Sequence, residues 1–157
     1  MKSSKTWSAA QRALGAAALA ALAATFAATS ARAAPDPCKL VTVAELQQIV
    51  GPLSGVPTAT DPTSGEVTCT YRSTKGPSFI DVSLHDGDLA AWRRRNGGET
   101  PVALPEFGAG AFVNPDFHDM ADLYAKRGNL ILRVTMPKSP QAVDMVKLIA
   151  RKALARM

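Results

Sequence analysis

Two short stretches carry both histidines of this 157-residue chain: His85-Asp86-Gly87-Asp88 and Asp116-Phe117-His118-Asp119. Imidazole flanked by carboxylates is a donor set that suits a divalent transition metal. His85, Asp86, Asp116 and His118 could therefore ligate one ion if their two loops meet. The same residues are also ordinary turn chemistry, and Asp88 is placed to cap a helix, so no metal and no other cofactor is expected. Nucleophiles are no better provided for. Ser54, Ser64, Ser73, Ser78 and Ser83 are available, but none stands in a G-x-S-x-G elbow. Cys38 and Cys69 are lost as nucleophiles if they pair. The chain reads as a non-enzyme, with a small metal-dependent enzyme or metal carrier using His85 and His118 as the alternative.

Binding chemistry has two further candidates. Trp92-Arg93-Arg94-Arg95 joins an aromatic ring to three cations, and both residue types are enriched at interface hot spots. Such a group could grip an anionic cell-wall polymer or an acidic protein face; its plainer reading is a solvated helix end with one side chain tucked into the core. Gly108-Ala109-Gly110 resembles the start of a phosphate loop, but it lacks the following lysine and the preceding strand. It reads as close backbone packing or a strained turn.

The leader decides what the charge means. Lys2, Lys5 and Arg12 precede an uncharged, alanine-dominated run from Ala13 to Ala28, and Ala31 and Ala33 fit an A-x-A cleavage pattern. Residues 1–33 are expected to be a signal peptide cut between Ala33 and Ala34, leaving residues 34–157 as a single domain in the periplasm or secreted. The run is shorter and less apolar than a bilayer span requires, so no stable membrane insertion is expected after cleavage. Pro35-Asp36-Pro37 before Cys38 lacks a lipidation signal. Four of the 18 basic residues leave with the leader and none of the 13 acids do, so 18 − 4 = 14 cations face 13 acids, a net charge of +1. A nucleic-acid role loses its electrostatic support. In an oxidising compartment two cysteines allow one intramolecular pairing, Cys38 with Cys69. A redox-active pair is the alternative, though reactive pairs are usually close in sequence.

These groups must be held by elements legible in the pattern. Thr42 and Glu45 make a capping box, Leu46, Ile49 and Val50 a buried stripe, and Gly51-Pro52 a stop. Pro52 to Gly65 reads as an exposed connection. Val67, Cys69 and Tyr71, then Ile80, Val82 and Leu84, alternate with polar residues as two half-buried strands. Asp88 caps a short helix from Leu89 to Asn96, Pro101 to Ala109 reads as a loop, and Ala111-Phe112-Val113 as a short strand before a polar turn from Asn114 to Asp119. A hairpin turning at Gly128-Asn129 joins Asp122–Arg127 to Leu130–Met136. Ser139 and Pro140 open an amphipathic C-terminal helix. The order implies α+β: an antiparallel sheet of about five strands in a meander, with N- and C-terminal helices packed on one face.

Cys38-Lys39-Leu40-Val41-Thr42-Val43-Ala44-Glu45, Cys69-Thr70-Tyr71, Phe107-Gly108-Ala109-Gly110-Ala111-Phe112 and Leu123-Tyr124-Ala125-Lys126-Arg127-Gly128-Asn129-Leu130 together form a pattern. It resembles a family of small bacterial secreted proteins and lipoproteins of unknown function, which open with C-x-L-L-T-x-x-E and carry a later C-x-W/Y, a G-x-G-x-A stretch and a K-G-x-L hairpin. This chain departs at Val41, where the family has leucine, and at Arg127, which separates Lys126 from Gly128. The resemblance implies a disulfide between Cys38 and Cys69 and a helix-on-sheet fold, and it supplies no catalytic residue. A fold-level analogy with β-lactamase inhibitory proteins adds a third reading, an inhibitor of a cell-wall or β-lactam-directed enzyme. The preferred reading is a binding or interaction module whose partner is an envelope protein or cell-wall component.

Overall fold

The first α-helix of the described residues is capped by its own side chains. In the computed structural model, which describes residues 35–60, 65–96, 98 and 100–157, the Thr42 hydroxyl accepts from Glu45 N at 3.2 Å and Glu45 Oε2 accepts from Thr42 N at 3.0 Å. This reciprocal pair opens α1, Val43–Val50, and satisfies two amides that a helix start otherwise leaves without partners. Gly51, at φ 85°, ends it. The signal-peptide reading, with its cleavage between Ala33 and Ala34, lies outside the described residues.

Seven strands follow: β1 (Leu53–Ala59), β2 (Glu66–Ser73), β3 (Phe79–Asp86), then after α2 (Leu89–Asn96) β4 (Val102–Ala103), β5 (Phe112–Phe117), β6 (Met120–Arg127) and β7 (Leu130–Pro137), before α3 (Ala142–Leu154). They form one sheet in the order β1-β2-β3-β7-β6-β5-β4, every neighbouring pair antiparallel. The expected count of about five strands is too low. Both extra strands are edges, where backbone hydrogen bonds suffice and no apolar alternation is needed. β1 is mostly exposed, bends at Gly55 with φ 69°, carries Pro57 and shifts register between Ser54 and Thr58. Prolines and bulges are tolerated on edges and blunt them against further pairing. β4 has two residues, both exposed.

The expected meander is also corrected. β1-β2-β3 and β4-β5-β6-β7 are each meanders, but the chain leaves β3, crosses through α2 to the far edge, and returns inward so that β7 lies against β3. Asn114 to Asp119, expected to be a turn, instead continues β5 as far as Phe117. The turn is only His118-Asp119, with φ of 53° and 61° at both central positions, as a type I′ hairpin requires. Ser139 does not cap α3. Gln141 occupies that position without a side-chain bond, and Ser139 contributes only its carbonyl, which accepts from Ala142 N at 3.1 Å.

One face of the sheet carries the main core. Val82 and Leu84 of β3, Leu132, Val134 and Met136 of β7, and Ala121, Leu123 and Ala125 of β6 meet Ala142, Val146, Ile149, Ala150 and Ala153 of α3 together with Leu46 and Val50 of α1. The Cys38–Cys69 disulfide, with Cα atoms 5.1 Å apart, ties the entry to α1 to β2. Beneath it the buried Tyr71 hydroxyl donates to Val41 O at 2.9 Å. Burial, and then the nearby Asp36 charge, push that phenol up to about 12. At the other end of the chain, Arg156 donates to Leu40 O and Glu45 Oε1, fastening the C-terminal segment to α1.

The helices do not all lie on one face. α1 and α3 do, but α2 packs on the opposite face, where Leu89, Phe112, Tyr124 and Ile131 form a second, smaller core with Trp92 against it.

Candidate functional site

The opposite face is built by the residues that alternate with the main core. Register sets them in three rows: Glu66, His85, Ile131 and Lys126; then Thr68, Ser83, Arg133, Tyr124 and Phe112; then Thr70, Asp81, Thr135, Asp122 and Asn114. Most are polar, yet Ser83, His85, Asn114, Asp122 and Thr135 are all buried. Buried polar groups need partners, and much of what these rows contain is that pairing.

Arg133 is the hub. Its Nε and Nη2 lie 3.0 and 2.9 Å from Asp122 Oδ1, and its Nη1 lies 3.9 Å from Glu66 Oε1. Burial disfavours the arginine's charge, but Asp122, Tyr124 and Glu66 outweigh it and raise its pKa. Thr135 donates to the same Asp122 oxygen. Glu66 Oε1 is also 3.1 Å from His85 Nε2 and accepts from Thr68 Oγ1 at 3.2 Å. His85 is the main reason its carboxyl falls to about 2; burial opposes that, while Ser83 and Arg133 assist. Asp81 behaves in the opposite way. Burial raises its pKa, although Thr70 donates to it at 2.6 Å. Tyr124 is likewise raised, by burial and then by the Asp122 charge. Among the described residues, Asp122 Oδ2, Asn114 Nδ2 and the Tyr124 hydroxyl are buried without a hydrogen-bond partner.

α2 borders this network. Asp88 caps it as expected, accepting from Ala90 N at 3.0 Å, and Lys126 Nζ donates to Gly87 O just before it. Trp92 sets its ring 4.3 Å from that of His85 and 6.0 Å from that of Tyr124. The arginines that follow diverge around the helix. Arg93 lies 5.7 Å over Phe112, Arg95 lies 5.3 Å over Trp92, and Arg94 is exposed. None of the three has an ion pair or hydrogen bond among the described residues. Resting two of them on aromatic faces restricts their motion while leaving the donors available.

The metal-ligand reading meets its test in the register. His85 pairs with Ile131 near one end of β7, while Met120, just after the His118 turn, pairs with Pro137 at the other. Six residues along a strand, at about 3.3 Å each, put roughly 20 Å between those ends. His85 is occupied by Glu66 and Trp92, and Asp86 accepts from Asn129 Nδ2. Asp116 pairs with Lys138, and His118 packs edge-on against Phe117. The two loops do not meet. Among the described residues no group of three or more His, Cys, Asp or Glu side chains is placed to hold a metal. The cysteines are paired, so neither is a thiolate nucleophile.

Sequence reasoning missed Glu66, Asp122, Tyr124 and Arg133. The polar members of β6 and β7 were visible as the face opposite Leu130, Leu132, Val134 and Met136, and the Gly128-Asn129 turn fixes their mutual register. That Glu66 and His85 join them depends on β3 lying beside β7, which no local signal announces.

No family model matches this chain, and no curated protein sequence matches it. Among solved structures the chain shows a distant likeness to a GTP binding regulator from Thermotoga maritima, with a TM-score of 0.39 and 15% identity over 72% of this chain and 87% of that one.

Proposed function

We propose that the protein is an extracytoplasmic binding module, without chemistry of its own, that engages an anionic partner of the cell envelope through α2. The observation that carries this reading is the triplet Arg93-Arg94-Arg95, three consecutive guanidinium groups with no carboxylate or carbonyl partner among the described residues, two of them held on aromatic rings. Arginine so placed presents a planar fork of donors suited to carboxylate and phosphate. By contrast Lys39, Arg133, Lys138, Lys147, Lys152 and Arg156 are all committed to acids of the chain. Extracytoplasmic placement is supported by the leader pattern and by the Cys38–Cys69 disulfide, a bond that persists in oxidising compartments. No helix among the described residues is long and apolar enough to cross a membrane.

Co-sedimentation with purified cell-wall sacculi and capture from envelope extract, with and without R93E, R94E and R95E combined, test this reading. Binding that weakens at higher salt and falls about tenfold or more on reversal is expected. Binding indifferent to the reversal, in a variant whose circular dichroism and disulfide are intact, would overturn the role of α2.

A further inference from the structure

Between the last turn of α2 and the turn that precedes β5 lies a pocket of about 240 Å³, lined by Arg93, Ala103, Pro105, Gly108, Ala109, Gly110 and Ala111. Two unrelated features of the sequence, the first arginine of the triplet and the Gly108-Ala109-Gly110 stretch, thus line one cavity.

The wall made by the glycine stretch is a tight turn closed by Ala111 N donating to Gly108 O at 3.2 Å. Gly110, at its third position, has φ 78°, the value a type II turn demands and a side chain resists. Within this turn the amides of Gly108 and Ala111 are spent on backbone carbonyls, whereas those of Ala109 and Gly110 have no backbone acceptor among the described residues. Successive amides free in a turn form a concavity that favours anions. Arg93, which lines the same pocket, is half-buried and 5.7 Å over the Phe112 ring, with its donors uncommitted. None of the lining residues is acidic. Glu106, the nearest acid in sequence, pairs with Lys147 of α3 at 3.6 Å.

We propose that this pocket binds a single anionic group, a carboxylate or a phosphate, with Arg93 donating from one wall and the Ala109 and Gly110 amides from the other. The inference rests on α2 as the recognition element and identifies where one charged group of the partner seats. Arg94 and Arg95 lie outside the pocket lining and act on the rest of the partner.

Titrating the full chain, labelled with nitrogen-15, with inorganic phosphate and separately with acetate tests the site by its own amides. Saturable shifts of Ala109 and Gly110 with either anion are expected, and the anion with the stronger response names the source of the charge. R93Q should lower the affinity about tenfold or more, R93K should weaken it by less, and K75Q, at an exposed lysine between β2 and β3, should leave it unchanged. Shifts that climb linearly without saturating would mean an adventitious ion only and would overturn the site, as would equal responses in R93Q and K75Q. If sacculi binding is lost on triple reversal while phosphate and acetate leave Ala109 and Gly110 still, the pocket is refuted and the α2 reading survives. If the small anions bind and the sacculi do not, the pocket stands and the envelope-polymer reading fails.

Discussion

The two faces of the sheet solve the same problem with different materials. On the α1/α3 face, apolar side chains from five strands meet α1 and an amphipathic helix of 13 residues, and a disulfide ties the entry to α1 to β2. On the α2 face, four buried apolar residues and Trp92 sit beside a band of threonines, carboxylates, a histidine and an arginine. Apolar burial stabilises without demanding geometry, whereas buried polar groups contribute only when every partner is met. The first face is therefore expected to carry the stability, and the second the specificity of shape and charge.

The sharpest way to break that contrast is truncation of matched leucines. Leu123→Ala, at a fully buried site on the α1/α3 face, should cost about 3 to 5 kcal/mol in urea unfolding. Leu89→Ala, on α2, should cost about 2 kcal/mol, because its cluster has only four buried members. Equal costs would mean that α2 is as integral as α3. Next comes the disulfide. Cys38 and Cys69 are 31 residues apart, and the paired substitution to serine should lower stability by about 3 to 4 kcal/mol in the chain-entropy model; an unchanged melting temperature would contradict it.

Acid sharpens the comparison differently. The Glu66 carboxyl ordinarily titrates at 4.5 and is held at about 2 in the fold, chiefly by His85. A folded pKa below the unfolded one gives stability that is present above 4.5 and lost as pH falls from there towards 2. Unfolding free energy measured across that window should therefore fall less steeply in Glu66→Gln than in the parent protein. Identical slopes would remove Glu66 from the account. The smallest effect is local: Thr42→Ala, which removes half of the capping box, should cost about 1 kcal/mol and leave the α2 face untouched.

What could be read from the sequence follows the same division. The capping box, the inward Cys69 and Tyr71, the Asp88 cap and the last hairpin were legible because each is written in adjacent residues. β1 and β4 were not, since an edge strand with Gly55, Pro57 and exposed side chains looks like a connection. The main core was legible as alternation, but the second core was not. Ile131 and Tyr124 sit in runs whose other face is apolar as well, and only α2 crossing over them turns that surplus into a buried cluster. Within the candidate site, Trp92 and the arginines were visible as types, while the pocket between Arg93 and Gly110 needed the path of the chain from β3 to the far edge.

That path also sets the order in which the protein can be completed. β3 lies inside the sheet beside its central strand, β7, and the paired residues Asp81 and Thr135 stand 135 − 81 = 54 positions apart. A chain delivered from its N-terminus can close its disulfide and zip β1, β2 and β3 early, but β3 then keeps a bare edge until the last strand arrives. Unpaired edges are where nascent chains associate with one another. β7 therefore does more than finish the sheet: shortening the chain before it would leave the sheet's centre open to aggregation.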